Sequence, residues 1–172
     1  DWSSDVCSSD LIARGLALEA ARHLGRWLEV ACREPGCREA RDGMAIGSHL
    51  AGMAFANASC CAVHALALPL GGRFHIPHGV ITGCFVGEMM RHNAPVCEAD
   101  FDTFGTALGW GTLPAAAFAD RLDALAADIG LPAALRRTPV PAAAIPDMAA
   151  AAVANRRLMD PNPRDVTVAD AC

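Results

Sequence analysis

Short runs of alanine recur through the second half of this sequence and restrict the folds open to it. The runs cover residues 115–117, 142–144 and 149–152. Alanine has the highest intrinsic helix propensity, and its small side chain lets helices pack closely. No stretch of useful length shows the apolar–polar alternation that is typical of strands. We therefore expect an all-α fold, with a single helical bundle as the simplest architecture.

Helical amphipathy is clearest over residues 12–32, where apolar residues recur every three to four positions with charged residues between them. The Glu-Pro-Gly sequence at 34–36 is expected to end this helix. A second helix is predicted over residues 38–55. Its glycines weaken it in isolation but permit close approach of another helix or a ligand. They are Gly43, Gly47 and Gly52.

A third helix is predicted over residues 59–67, and Pro69, Gly71 and Gly72 are expected to end it. A loop over residues 72–76 follows. Pro77 suits the first position of a fourth helix that runs to about residue 91. Further helices are predicted over residues 101–109, 114–129 and 142–157.

Charge and hydropathy exclude several classes of partner. The chain has 172 residues, 53% of them hydrophobic, and a formal net charge of −5. That length and composition allow one domain with a hydrophobic core and argue against disorder. No basic stripe supports nucleic-acid binding, no apolar run is long enough to span a bilayer, and no signal peptide is recognisable. We expect a cytoplasmic protein with neither a nucleic-acid nor a membrane partner.

Both ends of the sequence differ from the middle. Residues 1–11 are rich in Ser and Asp, lack periodicity and resemble translated sequencing-adapter read-through. We interpret them as a non-native or disordered leader, with a natural flexible tail as the alternative, and assign residues 12–172 to one helical domain. The last residues, 166–172, stop within what looks like the start of a helix, so we interpret the sequence as a fragment.

The eight cysteines include no C-x-x-C pair. We interpret them as free thiols that behave as small hydrophobes in a reducing cytoplasm, rather than as a disulfide framework or a zinc site. They are Cys7, Cys32, Cys37, Cys60, Cys61, Cys84, Cys97 and Cys172.

Three of the six histidines lie close together, at His64, His75 and His78. On one straight helix His64 and His78 would be about 21 Å apart, so the chain must fold back between them if both bind one metal ion. The intervening prolines and glycines allow that reversal. His78 would lie in the first turn of a helix, where the dipole disfavours a protonated imidazole. By spacing alone, core histidines are the commoner case, and His75 with His78 is a weak alternative pair.

Longer patterns connect these residues to a known family. Residues 57–79 read NASCCAVHALALPLGGRFHIPHG, residues 89–95 read MMRHNAP, and residues 155–170 contain the sequence NPR. Together they resemble the signature segments of iron-containing (group III) alcohol dehydrogenases, over nearly all of residues 12–172. The resemblance implies the all-helical, metal-binding C-terminal domain of a two-domain enzyme. The other domain, of α/β type, holds the nicotinamide cofactor and is missing here.

In that family one Asp and three His bind Fe²⁺ or, in some members, Zn²⁺. Two of these ligands align with His64 and His78, and the others would lie before this chain begins. The implied reaction is hydride transfer between an alcohol and NAD or NADP, with the metal as a Lewis acid on the substrate oxygen. The implied partner is a small-molecule alcohol or aldehyde. Members often form dimers or larger assemblies, so a homo-oligomer is expected.

Two positions bear on how far the resemblance extends. Many members carry a further His four residues after the first ligand, where this chain has Leu68, which cannot relay protons. Phe55 aligns with an aromatic residue of the substrate pocket, although an ordinary core role is an equal alternative. We expect no dehydrogenase activity from the fragment alone.

Two other functions stay open. A maleylacetate-reductase-like enzyme of the same superfamily often carries P-H-A where residues 77–79 read P-H-G. That difference favours an alcohol dehydrogenase. A non-catalytic helical module is the alternative for the isolated fragment.

Overall fold

A computed structural model describes the backbone of residues 3–172 and the side chains from Leu11 onward. These residues form helices and turns without any strand, which confirms the expected all-α class. Within them no single helix is long and apolar enough to cross a membrane; only the bent pair of helices Arg38–Ala58 and Ala62–Phe74, taken together, reaches that length and composition. The helices are α1 (Ser3–Arg33), α2 (Arg38–Ala58), α3 (Ala62–Phe74), α4 (His78–Ala107), α5 (Ala115–Asp128), α6 (Leu131–Leu135), a 3₁₀ helix (Ala142–Ala144), α7 (Ile145–Val153), α8 (Arg156–Met159) and α9 (Val168–Ala171).

Helix α1 ends where the sequence predicts, because the residue before a proline disfavours the helical conformation and Pro35 follows Glu34. It begins at Ser3, nine residues before the predicted start. The interpretation of residues 1–11 as a non-native leader stays a prediction, as does the assignment of residues 12–172 to one domain. Asp1 and Trp2 lie outside the described residues.

One compact unit consists of α1 and α2, through Ser59, together with Glu98–Pro114. Two glycines let α2 approach α1 closely. A Cβ added at Gly43 would lie 2.2 Å from the Trp27 ring, and one at Gly47 would lie 2.8 Å from Cβ of His23. The predicted role of these glycines in helix packing is therefore confirmed for both.

The other compact unit consists of Cys60–Cys97 and Ala115–Cys172. The buried residues of α3 are all apolar, although the ring nitrogen Nδ1 of the partly exposed His64 is also buried. One buried cluster joins α3 to α4, α7 and α8, and a smaller one joins it to the start of α4. The first contains Ala62, Val63, Ala65, Met89, Ala152 and Met159, and the second contains Ala67, Ile76 and Ile81.

The predicted bounds of the third helix are wrong. Helix α3 runs from Ala62 to Phe74, so Pro69 and both following glycines lie inside it. An interior proline removes one helical hydrogen bond and costs about 3 kcal/mol in isolation, but α3 buries four of its residues, and such packing supplies most helical stability in proteins. The chain reverses instead at His75, which has a left-handed φ of 55° and donates its N–H to the carbonyl of Gly71 at 3.0 Å.

Helix α4 begins at His78, one residue after the predicted first position at Pro77. The carbonyl of Pro77 accepts hydrogen bonds from the N–H groups of Val80 and Ile81. It continues past the predicted end near residue 91 and includes most of the separate helix predicted over 101–109. Its dihedral angles leave the helical region at Cys97, two residues after Pro95. The helix predicted over 142–157 is divided into the 3₁₀ helix, α7 and α8.

Candidate metal centre

His64 and His78 both lie in the first turn of a helix, His64 as the third residue of α3 and His78 as the first residue of α4. The ten steps from His64 to Phe74 advance the chain by about 15 Å along α3. Residues 75–77 then reverse the chain direction, so that His78 lies near His64. The side chain of Ile76, which is 3% exposed, anchors this turn in the core. The two imidazole centroids lie 5.2 Å apart, with the ring planes at 44°. The predicted fold-back between the two histidines is confirmed.

The distance between the rings suits a shared metal ion. An imidazole nitrogen binds zinc at about 2.0–2.1 Å and the ring centroid lies about 1.1 Å farther out, so two rings on one ion at a near-tetrahedral angle have centroids roughly 5 Å apart. The observed 5.2 Å between His64 and His78 matches that value. Two imidazoles are donors that suit both iron and zinc.

The electrostatic surroundings of His64 keep its ring neutral. Burial lowers the pKa of His64, and the nearby ring of His78 lowers that pKa further. The partial positive charge at a helix N-terminus also opposes protonation in the first turn. Nδ1 of His64 is buried and has no hydrogen-bond partner, an arrangement that costs free energy unless a ligand satisfies the atom. A neutral imidazole is the form that binds a divalent metal ion, although Nδ1 of His23 in the other unit is also buried without a partner.

The rest of a complete coordination shell is not found among the described side chains. From Leu11 onward, no group of three or more His, Cys, Asp or Glu residues is placed to hold one metal ion. His75, the third histidine of the segment, is exposed at the end of α3. The pair of imidazoles therefore leaves positions on an ion open to other ligands.

Two further positions named from the sequence are exposed. Leu68 follows His64 by four residues, which places both side chains on the same face of α3, and Leu68 is 49% exposed. Phe55 lies near the end of α2 in the other unit and is 52% exposed. That exposure argues against an ordinary core position for Phe55 within the described residues, and its role in substrate binding stays a prediction.

Sequence reasoning missed the residue that directly precedes α3. Cys61 caps the helix with an extended backbone, and its carbonyl accepts a hydrogen bond from the N–H of His64 at 2.9 Å. The change from two adjacent cysteines to an alanine-rich stretch was the available signal for the start of α3. The cysteines were considered only as metal ligands, and their spacing fitted no metal motif.

Polar residues of α4 also have partners that periodicity does not reveal. Arg91 forms ion pairs of 2.6 Å with Asp120 and with Asp123 on α5, and these carboxylates raise the pKa of its guanidinium. Arg164 donates to the carbonyl of His92 at 2.8 Å. The MMRHNAP and NPR segments are thus brought together in space, and they fix the helix whose first residue is His78.

Comparison with known proteins covers almost the whole chain. Residues 7–171 match the family described as Fe-containing alcohol dehydrogenase family, C-terminal. Long-chain-alcohol dehydrogenase 1 of Geobacillus thermodenitrificans is 34% identical over 162 residues, which are 91% of this chain and 41% of that protein. The 1,3-propanediol dehydrogenase of Citrobacter freundii is 38% identical over 154 residues, which are 86% of this chain and 40% of that protein.

Solved structures agree with these relatives. A crystal structure of 1,3-propanediol oxidoreductase aligns with a TM-score of 0.82 at 31% identity, over 93% of this chain and 43% of the other. An alcohol dehydrogenase from Oenococcus oeni aligns with a TM-score of 0.84 at 26% identity, over 91% and 42%. The chain spans about two fifths of the length of the curated relatives it matches. On its sequence and its fold, the chain belongs to the Fe-containing alcohol dehydrogenase family and corresponds to the C-terminal domain of that family.

Proposed function

We propose that this chain is the metal-binding, C-terminal part of an NAD(P)-linked alcohol dehydrogenase that transfers hydride between an alcohol and its aldehyde or ketone. The observation that carries the proposal is the pair formed by His64 and His78, with ring centroids 5.2 Å apart and an unsatisfied buried Nδ1 on His64. Membership of the family supports it, as do relatives named as alcohol and propanediol dehydrogenases.

His64 and His78 would hold the metal, Fe²⁺ by preference or Zn²⁺, as neutral nitrogen donors. A bound divalent metal supplies Lewis acidity toward the substrate oxygen, while the nicotinamide carries the hydride. Ala65 and Ala67 of α3 are fully buried, whereas His64 is partly exposed and His78 is exposed. Leu68 neither donates nor accepts a hydrogen bond, so a proton released by the substrate has to leave by another group.

The remaining parts of the proposal concern partners. The substrate is a small-molecule alcohol or aldehyde, and NAD or NADP is held mainly by a part of the enzyme outside this chain. Location in the cytoplasm and assembly into a homo-oligomer belong to the same proposal. The competing functions are a maleylacetate-reductase-like activity and a non-catalytic helical module.

Metal binding is the first test. The 172-residue chain, prepared without a histidine tag, is titrated with Zn²⁺ by calorimetry and compared with His64→Ala, His78→Ala and His49→Ala. We expect at least a tenfold loss of affinity in the first two variants, because each removes one of two protein ligands. The exposed His49 lies in the other unit, so its variant serves as the matched control. Equal affinity in all four proteins would exclude the proposed site.

Activity is the second test. The chain replaces the matching segment of the Citrobacter freundii 1,3-propanediol dehydrogenase, and NAD reduction is measured with primary alcohols and NADH oxidation with aldehydes and with maleylacetate. We expect metal-dependent turnover of the alcohols that falls at least a hundredfold in either histidine variant. Turnover of maleylacetate alone would favour the reductase, and a folded, metal-binding chimera without any turnover would favour the module.

A further inference from the structure

The face of α3 that carries His64 continues beyond the first turn, and only one side of it is covered by the rest of the unit. Successive residues of a helix are rotated by about 100°, so Leu68 lies about 40° from the direction of His64, and Gly71 lies about 20° from it on the opposite side. A Cβ added at Gly71 would lie 3.5 Å from the carbonyl oxygen of Ile76. The segment that reverses the chain therefore passes on the Gly71 side of His64.

The side that carries Leu68 is open within the unit. Leu68 is 49% exposed, and Gly72 lies about 80° from the direction of His64 on the same side. Gly72 is exposed, and a Cβ added there would have no atom of another described residue within 4 Å. Since His64 is partly exposed and His78 is exposed, the open side extends up to the two imidazoles. A molecule that binds an ion held by this pair can therefore lie over Leu68.

The position and chemistry of Leu68 determine which part of a substrate it can contact. One helical turn separates it from His64, so the two Cβ atoms lie about 5–6 Å apart. An alcohol whose oxygen is on the ion covers that distance with roughly three or four carbon atoms, because each bond is about 1.5 Å long. Leucine has no hydrogen-bond donor or acceptor in its side chain. A methyl group is stabilised by contact with it, whereas a hydroxyl group loses hydrogen bonds to water without gaining a partner.

We propose that Leu68 is a specificity-determining residue, whose side chain packs against the alkyl chain of the substrate and favours simple aliphatic alcohols over diols of the same length. The inference rests on the proposed function, since it requires an ion at His64 and His78. An apolar pocket rejects an added hydroxyl group only about a hundredfold. The expected preference for the aliphatic alcohol therefore lies between about tenfold and a hundredfold.

The first test uses the chimera with the Citrobacter freundii dehydrogenase and two substrates that differ only in their last group, 1-butanol and 1,3-propanediol. We expect kcat/KM for 1-butanol to be at least tenfold higher than for 1,3-propanediol. Leu68→Gln keeps a similar size but is polar, and should lower that ratio at least fivefold, whereas the apolar Leu68→Met should keep it within twofold. Val96→Gln replaces another exposed apolar residue of the same unit and, as the matched control, should keep the wild-type ratio.

The second test measures contact with Leu68 without any turnover. The leucine methyl groups of the 172-residue chain are isotopically labelled for NMR, and the signals that are absent from Leu68→Gln are assigned to Leu68. With Zn²⁺ bound, 1-butanol should shift these signals, and half-saturation should require at least a fivefold lower concentration of 1-butanol than of 1,3-propanediol. In His64→Ala, which lacks one of the two proposed ligands, the same concentration of 1-butanol should leave the Leu68 signals unshifted.

Three results would overturn the inference and leave the proposed function intact. One is a ratio of kcat/KM values that is the same in the wild type and in Leu68→Gln. Another is a ratio that falls as far in Leu68→Met as in Leu68→Gln, because an apolar contact should survive the change to methionine. The third is a set of Leu68 signals that respond alike to both compounds. By contrast, a chain that binds no Zn²⁺ and a chimera that converts neither substrate would overturn the proposed function, and the inference with it.

Discussion

Asn93 and Asn162 donate a hydrogen bond to each other, although 69 residues separate them in the sequence. Nδ2 of Asn93 lies 3.2 Å from Oδ1 of Asn162, and Nδ2 of Asn162 lies 2.8 Å from Oδ1 of Asn93. The side chains are nearly inaccessible, at 3% and 8% exposure. Nδ2 of Asn162 also donates to the carbonyl of Arg164 at 2.6 Å. This pair fastens the segment before α9 to α4.

Replacing one member of the pair should destabilise the unit. In Asn162→Ala the amide of Asn93 is left buried without its partner, and such a loss costs about 1–3 kcal/mol. We expect urea denaturation to show a lower free energy of unfolding by that amount. The exposed Asn57, which donates to the carbonyl of Met53 at 2.7 Å, supplies the control, since Asn57→Ala should change stability by less than about 0.5 kcal/mol. An equal loss in free energy of unfolding in Asn162→Ala and Asn57→Ala would mean that the buried pair stabilises the fold no more than an exposed hydrogen bond does.

Two glycines of α1 should respond in opposite directions to alanine. A Cβ added at Gly25 would lie 2.2 Å from the carbonyl oxygen of Leu108, a backbone atom that cannot rotate away, whereas Gly15 has no atom within 4 Å. Overpacking of this kind costs about 1–3 kcal/mol, so Gly25→Ala should lower the urea midpoint. Gly15→Ala should raise it, because alanine is favoured over glycine in a helix by about 1 kcal/mol. Two midpoints that move the same way would contradict this account of the α1 contact.

Local signals predicted most of the helices, and tertiary packing explains the errors. The end of α1, the start of α2 and the start of α4 follow from proline positions and amphipathy. The predicted end of α3 was wrong because Pro69 was interpreted as a helix breaker. The cost of an interior proline is local, but the compensating burial of Ala62, Val63, Ala65 and Ala67 depends on residues far along the chain.

The pairing of the two histidines that we propose as metal ligands was predictable in part. The spacing of His64 and His78 requires a reversal of the chain if both bind one metal ion, and resemblance to the family selected those two histidines among six. The first-turn position of His64 was missed, since it depends on where α3 starts, and so was the hydrogen bond from its N–H to the carbonyl of Cys61. Neither feature has a local pattern, because both are set by the packing that positions α3 within its unit.

The lowered pKa of His64 predicts a pH dependence of stability in the absence of metal. Burial first, and then the charge of His78, hold that pKa below its ordinary value of 6.5. Above pH 6.5 the ring is neutral in both the folded and the unfolded chain, so it has no effect on the pH dependence. As the pH falls below 6.5, the unfolded chain binds a proton that the folded chain does not, and stability falls.

The measurement is urea denaturation between pH 8 and pH 5 in the presence of a chelator, for the wild type and for His64→Gln. The difference in free energy of unfolding between the two proteins should be constant at the alkaline end and should shift in favour of His64→Gln below pH 6.5. A difference that stays constant over the whole range would show that His64 titrates alike in both states.

Leu68 offers a way to strengthen the proposed site and thereby to test its position. Leu68→His would put a second imidazole on α3 four residues after His64, and side chains at that separation lie about 5–6 Å apart at Cβ on one face of a helix. The exposed position of Leu68 leaves room for the new ring. We expect Zn²⁺ affinity to rise at least tenfold, and to rise also in the His78→Ala background, because His64 and the new imidazole suffice for two-point binding. Leu68→Gln controls for polarity without a metal-binding nitrogen and should leave affinity at the wild-type level. If Leu68→His binds Zn²⁺ no better than Leu68→Gln does, then the ion is not held on the face of α3 that His64 and Leu68 share, and the assignment of His64 as a ligand is wrong.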